Sequence, residues 1–170
     1  GMQEQNDKAY TAILEGIARD EYDKSLFLYA GKMALKNSLP QKAEEHLQQA
    51  LALDPEYMEA ALVLMSLYAQ QERDEEVIAL YEDLNRNDFD WTALYPFVAK
   101  AHVNLEQYKE AAAYYDEAYR DHAEDASFLE EYAYFLLEEG RRDDAKRVVA
   151  ELIALDPSED RYNDLQLSLE

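Results

Sequence analysis

Apolar residues recur along this chain with the period of amphipathic helices, and short polar connections separate the apolar stretches. In residues 58–71 the apolar positions at helical spacing are Ala61, Leu62, Leu64, Met65 and Tyr68. Asp74 then fits the N-cap of a following helix. The pattern predicts helices over residues 5–19, 24–37, 40–53, 57–71, 74–87, 92–104, 107–121, 126–139, 142–155 and 159–169. No hairpin signal interrupts them.

The helical pattern itself repeats every 34 residues without insertions. Small or apolar residues mark the second helix of each unit at Ala43, Val77, Ala111 and Ala145. Each of them follows a marked position in the first helix by twelve residues, at Gly31, Met65, Ala99 and Ala133. A fixed period of this length is typical of a stacked array, in which each unit buries its apolar face only against its neighbours.

The order of residues within one unit resembles the tetratricopeptide repeat family. The unit that begins at residue 24 carries, in the family's order, Phe27, Gly31, Ala34, Ala43, Leu47, Ala50 and Pro55. The resemblance implies an all-α, right-handed α-solenoid of antiparallel helix pairs. It divides the chain into repeats at residues 24–57, 58–91, 92–125 and 126–159.

The remaining residues are expected to extend the same single domain, 1–170. Residues 1–4 are interpreted as a tag scar or disordered start, and residues 5–23 as an N-terminal helix that completes half a repeat. Residues 160–170 are predicted to form a capping helix. Tyr162, Leu165 and Leu169 give that helix one apolar face, and Leu167 lies off it, which suggests continuation of the array or self-association.

Two repeats depart from the common pattern in ways that predict local structure. Repeat two combines Met65, Val77 and Leu84 where small residues are usual, so its two helices should stand farther apart. Repeat three carries Pro96, which lacks a backbone donor and clashes with the preceding turn. Its first helix should therefore begin late, near residues 92–95, or kink there.

Composition and charge narrow the possible functions. Lys and Arg number 16 against 38 Asp and Glu, a net charge of −22, while 48% of residues are apolar. The apolar content excludes a disordered acidic chain, and the acid excess argues against nucleic acid and anionic membranes as partners. No secretory signal and no segment of ~20 apolar residues is visible, so no membrane insertion and a cytoplasmic location are expected.

No pattern of catalytic or metal-binding residues is visible. The chain has no cysteine, and His46, His102 and His122 lie in different repeats. Zinc-protease, phosphate-loop and nucleophile-elbow motifs are absent. Neighbouring acidic pairs such as Glu130 and Glu131 point about 100° apart on a helix, which suits catalysis poorly. We therefore expect no cofactor, no metal and no enzymatic activity.

The family resemblance places the function on the groove formed by the first helix of each repeat. Carried over by register, the partner-binding positions are Leu28, Tyr29, Lys32, Lys36, Leu62, Val63, Ser66, Pro96, Phe97, Lys100, Glu130 and Tyr134. The resemblance implies a non-catalytic scaffold or adaptor that binds a peptide or helix of a partner protein there. An aligned apolar patch of this kind is typical of a binding site.

The charges of that groove predict an orientation for the partner. Lysines flank the groove in repeats one and three, and Glu130, Glu131 and Glu138 end it in repeat four. Acidic groups of the partner should then lie toward repeats one to three and basic groups toward repeat four. Acidic C-terminal tails of chaperones are not expected to bind. Among the positions that form the family's carboxylate clamp, only Lys32 could hold a carboxylate.

Three alternatives remain open from the sequence. A terminal helix could fold into the groove and cover it. The chain could be an accessory module or a fragment of a longer multi-repeat protein or enzyme, or a self-associating repeat protein. An outright enzyme would require a nucleophile or metal cluster in the groove, and the register supplies none.

Overall fold

The computed structural model describes residues 1–86 and 88–169 and is built from helices alone. In this part of the chain the α-helices are α1 Met2–Arg19, α2 Lys24–Lys36, α3 Pro40–Leu53, α4 Met58–Gln70, α5 Asp74–Leu84, α6 Tyr95–Asn104, α7 Tyr108–Ala118, α8 Ala126–Glu138, α9 Arg142–Leu155 and α10 Asp160–Leu167. The all-α class and the helix order predicted from the sequence are confirmed. The predicted ends of the fifth helix at residue 87 and of the capping helix at residue 170 lie outside the described residues.

The first helix begins earlier than the sequence suggested. Residues 2–4 are helical, so α1 starts three residues before the predicted helix at residue 5. Glu4 explains the difference, because its carboxylate lies in the first turn and accepts a hydrogen bond from Lys8 at 2.7 Å. An acidic side chain at a helix N-terminus, followed by a lysine one turn later, stabilises the start of a helix.

The helices stack in pairs, each packing mainly on the helices next to it in sequence. The pairs are α2 with α3, α4 with α5, α6 with α7, and α8 with α9. Buried apolar side chains form two clusters, one reaching from Leu28 to Ala101 and the other from Ala99 to Leu169. Tyr95 and Tyr114 pack against both clusters and join them into a continuous core.

The closeness of the paired helices varies from repeat to repeat. A Cβ atom built on Gly31 would lie 2.7 Å from Cγ of Leu47. The backbone of α2 at Gly31 therefore packs directly on the Leu47 side chain of α3, and no side chain would fit between them. In repeat two the buried side chains of Met65, Val77 and Leu84 occupy that space instead. The backbones of α4 and α5 approach each other at fewer places than those of the other pairs, which confirms the predicted wider spacing.

Pro96 has the effect that the sequence predicted. A short 3-10 turn, Thr92–Leu94, precedes α6, which starts at Tyr95. Pro96 therefore lies in the first helical turn, where its missing N–H removes no intrahelical hydrogen bond. The late start of the third repeat's first helix is confirmed.

A left-handed residue ends the first helix of every repeat. Ser38, Glu72, Glu106 and Gly140 have φ of 57°, 56°, 59° and 73°, and they are 34 residues apart. The amide of the residue that follows each one donates to a carbonyl five residues back, at 2.8–3.0 Å. This is the Schellman arrangement, which usually takes glycine at the left-handed position. Only Gly140 signals it in the sequence.

Glycine substitution at Glu106 is expected to stabilise the protein, and alanine substitution at Gly140 to destabilise it. The left-handed conformation costs a non-glycine residue roughly 1–2 kcal/mol, partly offset by the greater unfolded freedom of glycine. Urea unfolding followed by circular dichroism should show a gain of roughly 0.5–1 kcal/mol for Glu106→Gly and a loss of about 1 kcal/mol for Gly140→Ala. Space is not the cause at Gly140, since an added Cβ would meet nothing within 4 Å.

Glu106→Ala is the matched control for this pair, because it removes the same charge but keeps a Cβ atom. It should leave the free energy of unfolding within about 0.5 kcal/mol of the parent. Equal stabilities for Gly140→Ala and the parent protein would contradict the backbone explanation.

Candidate functional site

Three adjoining depressions follow the first helices of the repeats. The first, of about 320 Å³, is lined by Leu35, Leu62, Val63, Ser66, Leu67, Gln70 and Phe97. The second, of about 350 Å³, is lined by Ala69, Pro96, Phe97, Lys100, Asp125, Ser127, Phe128 and Glu131. The third, of about 240 Å³, is lined by Lys100, Val103, Tyr115, Glu131, Tyr134, Phe135 and Glu138.

These depressions adjoin one another. Phe97 borders the first and the second, while Lys100 and Glu131 border the second and the third. Together they form a row of neighbouring depressions along α4, α6 and α8, which we call the trough. The predicted groove residues that line it are Leu62, Val63, Ser66, Pro96, Phe97, Lys100 and Tyr134.

Leu28 lies in the core and not in the trough, contrary to the sequence prediction. Its side chain is 1% exposed, whereas the adjacent Tyr29 is 54% exposed. The Leu28 side chain belongs to the buried apolar cluster to which α2, α3 and α4 all contribute. Neither Leu28 nor Tyr29 contributes to the walls of the three depressions.

Most of the charged residues predicted for the groove form ion pairs within the protein. Lys32 pairs with Glu59 of the next repeat, and Lys100 lies 3.7 Å from Glu131 of the repeat after it. Glu130, predicted to face the partner, instead meets Arg161 of α10 at 3.0 Å. These pairs link successive repeats, so the charges available to a partner differ from those that a count along the groove suggests.

Lys36 is the exception among the predicted charged positions. Its side chain is exposed, and it makes no ion pair with any residue in the described ranges. It stands beside the trough without lining it. It therefore remains available as a rim charge, and exposed rim charges contribute little to affinity.

The register argument missed the residues that approach the trough from deeper in the protein. Tyr115 on α7 reaches its wall from a second helix and donates a hydrogen bond to Glu131 at 2.5 Å. Burial and the nearby carboxylate raise the pKa of Tyr115 well above its ordinary value, so the hydroxyl stays a donor. Phe128, Phe135 and Leu67 lie on first helices but were also missed, because their side chains are mostly buried in the core and only part of each reaches the trough.

The terminal helices leave the trough open. None of its lining residues in the described part of the chain belongs to α1 or α10. The N-terminal helix packs on α2, and its Tyr10 hydroxyl is hydrogen-bonded to Nε2 of His46 at 2.9 Å. Burial lowers the pKa of His46, which favours the neutral ring in this contact.

The C-terminal helix packs on α9, the last helix of the repeats. Its Tyr162 and Leu165 are buried, as is Leu169 just beyond its last residue, while Leu167 is 65% exposed. Arg142 of α9 donates to the carbonyl of Leu169 at 3.1 Å and fixes this segment in place. The burial of these side chains agrees with the predicted apolar face, and the role of the helix as a cap stays a prediction.

Two further features are absent from residues 1–86 and 88–169. No group of three or more His, Asp or Glu side chains there is arranged to hold a metal ion. No helix in these ranges has the length and apolar character required to cross a membrane.

Two family models match overlapping parts of the chain. One, described as "Tetratricopeptide repeat", covers residues 34–101, and the other, "YpiA-like, C-terminal tetratricopeptide repeats", covers residues 94–159. The TPR repeat-containing protein YpiA of Bacillus subtilis (strain 168) is 37% identical over 164 residues. That match covers 96% of this chain but 39% of the relative, so the chain spans about two fifths of the relative's length.

Solved structures agree with the same architecture. The crystal structure of YrrB superposes with a TM-score of 0.78 at 20% identity, covering 95% of this chain and 83% of that one. The crystal structure of MamA gives a TM-score of 0.76 at 17% identity, covering 95% and 94% of the two chains. At identities of 20% and 17%, these similarities show a shared fold alone.

Proposed function

Because the chain belongs to the tetratricopeptide repeat family, we propose that it is a non-catalytic scaffold that binds a peptide or helix of a partner protein along the trough. The observation that carries the proposal is the row of three neighbouring depressions that share Phe97, Lys100 and Glu131 as borders. A row of depressions across three repeats suits an elongated segment better than a compact small molecule.

The lining of the first two depressions supports this proposal. Leu62, Val63 and Phe97 are half-buried, so each presents apolar surface without being fixed entirely inside the core. Phe97 borders both depressions and is the natural centre of a binding surface. Buried aromatic anchors near the centre of an interface supply most of its binding energy.

Peptide binding by a structural neighbour points in the same direction. The YrrB structure is described as that of a TPR protein with an unusual peptide-binding site. We extend peptide binding to this chain as part of the proposal, and the residues that we assign to it are those of the trough.

Phe97→Ala is expected to weaken binding of a trough ligand by roughly 1–3 kcal/mol, because it removes the central apolar anchor. The probe is a fluorescein-labelled peptide selected from a random twelve-residue display library on the immobilised full chain, with affinity measured by fluorescence anisotropy. Tyr108→Ala is the matched control, since Tyr108 is an aromatic residue, 42% exposed, that does not line the trough. Selected peptides that bind Phe97→Ala and the parent equally would show that the trough is not the site.

A second candidate function is that of one module within a longer repeat protein. The length of the Bacillus subtilis relative favours it, since the match covers 39% of that protein. Immunoblotting of the native host with an antibody raised against this chain would test it. A native band near the 19.7 kDa of this chain would rule it out.

A further inference from the structure

The trough is uneven in charge from one end to the other. No charged side chain lines the first depression, around Leu62 and Val63. The second and third depressions together contain the carboxylates of Asp125, Glu131 and Glu138 and the single ammonium group of Lys100. Three negative charges and one positive charge leave this end of the trough at −2.

No cation from outside the trough, among the described residues, forms an ion pair with these carboxylates. Asp125 caps α8, accepting hydrogen bonds from the amides of Ser127 and Phe128 at 3.0 and 3.2 Å. Within the described ranges, Glu131 forms an ion pair with Lys100 alone. Glu138 is exposed and forms no ion pair with any residue there. The chain as a whole carries −22, so its background field adds to the same sign.

Two of the three lysines predicted for the groove are already engaged. Lys32 pairs with Glu59 and Lys100 with Glu131, so a partner carboxylate would have to displace a carboxylate of the protein. The third, Lys36, stands beside the trough without lining it. The Glu131 carboxylate is in turn fixed by the Tyr115 hydroxyl at 2.5 Å and cannot move away without losing that bond. The acidic half of the partner expected from the sequence therefore lacks a receptor in the trough.

From this charge distribution we infer that the occupant is a basic amphipathic protein segment, an inference that rests on the proposed function. Its apolar side chains lie in the first two depressions against Leu62, Val63 and Phe97. A lysine or arginine follows them and lies in the third depression, between Glu131 and Glu138. Complementary charge of this kind steers encounter, fixes the direction of the bound segment and discriminates against acidic competitors.

The experiment uses the display selection on the full chain and two charge-reversal variants of neighbouring residues. Glu138 lines the trough, and Glu139 follows it on the same helix end, is also exposed and does not line the trough. Glu138→Lys and Glu139→Lys therefore change the net charge equally, and only one of them changes the trough. Any general attraction of basic peptides to this acidic protein is reduced alike in both.

Selected peptides should be enriched in Lys or Arg on one side of an apolar stretch. In 50 mM salt, Glu138→Lys should weaken their affinity about three- to tenfold and Glu139→Lys less than about twofold, since partly exposed charges are worth little each. Replacing the peptide's basic residue by glutamine should weaken parent binding similarly and make Glu138→Lys nearly silent. The effect of Glu138→Lys should shrink in 500 mM salt because of screening.

The outcomes separate this inference from the proposed function. Peptides that lose affinity with Phe97→Ala but show no basic enrichment, or respond equally to the two charge reversals, would overturn the inference and leave trough binding standing. Peptides insensitive to Phe97→Ala, or a selection that yields no binder, would overturn both.

Discussion

Trp91→Ala is expected to lower the free energy of unfolding by roughly 3–5 kcal/mol, the largest effect we predict for a single substitution. Trp91 is 1% exposed and packs on Phe89 with ring centroids 4.7 Å apart. It lies in the connection between α5 and α6, with its side chain in the buried cluster. Its truncation would therefore leave a cavity between repeats two and three. In a stacked array the interface between neighbouring units carries much of the stability.

Trp91→Phe is the matched control and should be far milder. The Nε1 group of Trp91 is buried and has no hydrogen-bond partner among the described residues. Phenylalanine removes that unsatisfied donor, worth roughly 1–3 kcal/mol, while it loses part of the ring volume, so the net change should be within about 1 kcal/mol. Unfolding in urea is followed by circular dichroism, because Trp91 is the only tryptophan. An unchanged midpoint for Trp91→Ala would refute its structural role.

Leu28→Ala is expected to lower the free energy of unfolding by roughly 2–5 kcal/mol, because it empties a site that is 1% exposed. The adjacent Tyr29 side chain is 54% exposed, so Tyr29→Ala should change the free energy of unfolding by less than about 0.5 kcal/mol. The comparison contrasts two residues that the sequence assigned to the same groove.

Ligand affinity completes the comparison. The folded fraction of Leu28→Ala should bind a trough peptide as the parent does, since Leu28 does not line the trough. Full stability together with weakened binding would restore Leu28 to the groove and contradict its buried position.

The repeat pattern predicted the fold well because the residues that set helix spacing are visible in the sequence. Gly31 and Leu47 show the close approach of α2 and α3, and Met65 with Val77 shows the wider pair in repeat two. Pro96 indicates where α6 starts, because a proline without a backbone N–H fits the first turn of a helix. These effects are local, so one sequence suffices to find them.

The candidate site was predicted less completely because its details depend on neighbours from other repeats. Leu28 was misplaced because its side chain joins the buried cluster shared by α2, α3 and α4, whereas the equivalent Leu62 is only half-buried. Glu130 was misread because its partner, Arg161, belongs to the last helix, and Tyr115 because it reaches the trough from a second helix. The left-handed turns were hidden because Glu72 and Glu106 occupy the positive-φ position of a Schellman turn, a conformation that glutamate does not favour.

The wider second repeat places larger side chains in its interior than its neighbours have. Met65, Val77 and Leu84 are buried between α4 and α5, where the other repeats carry mostly small residues. Met65 is adaptable in shape, and its neighbours Leu62 and Val63 line the apolar end of the trough. We therefore expect the apolar end to accept a partner's apolar side chains of different sizes more readily than the charged end accepts a change in the position of a partner's charge.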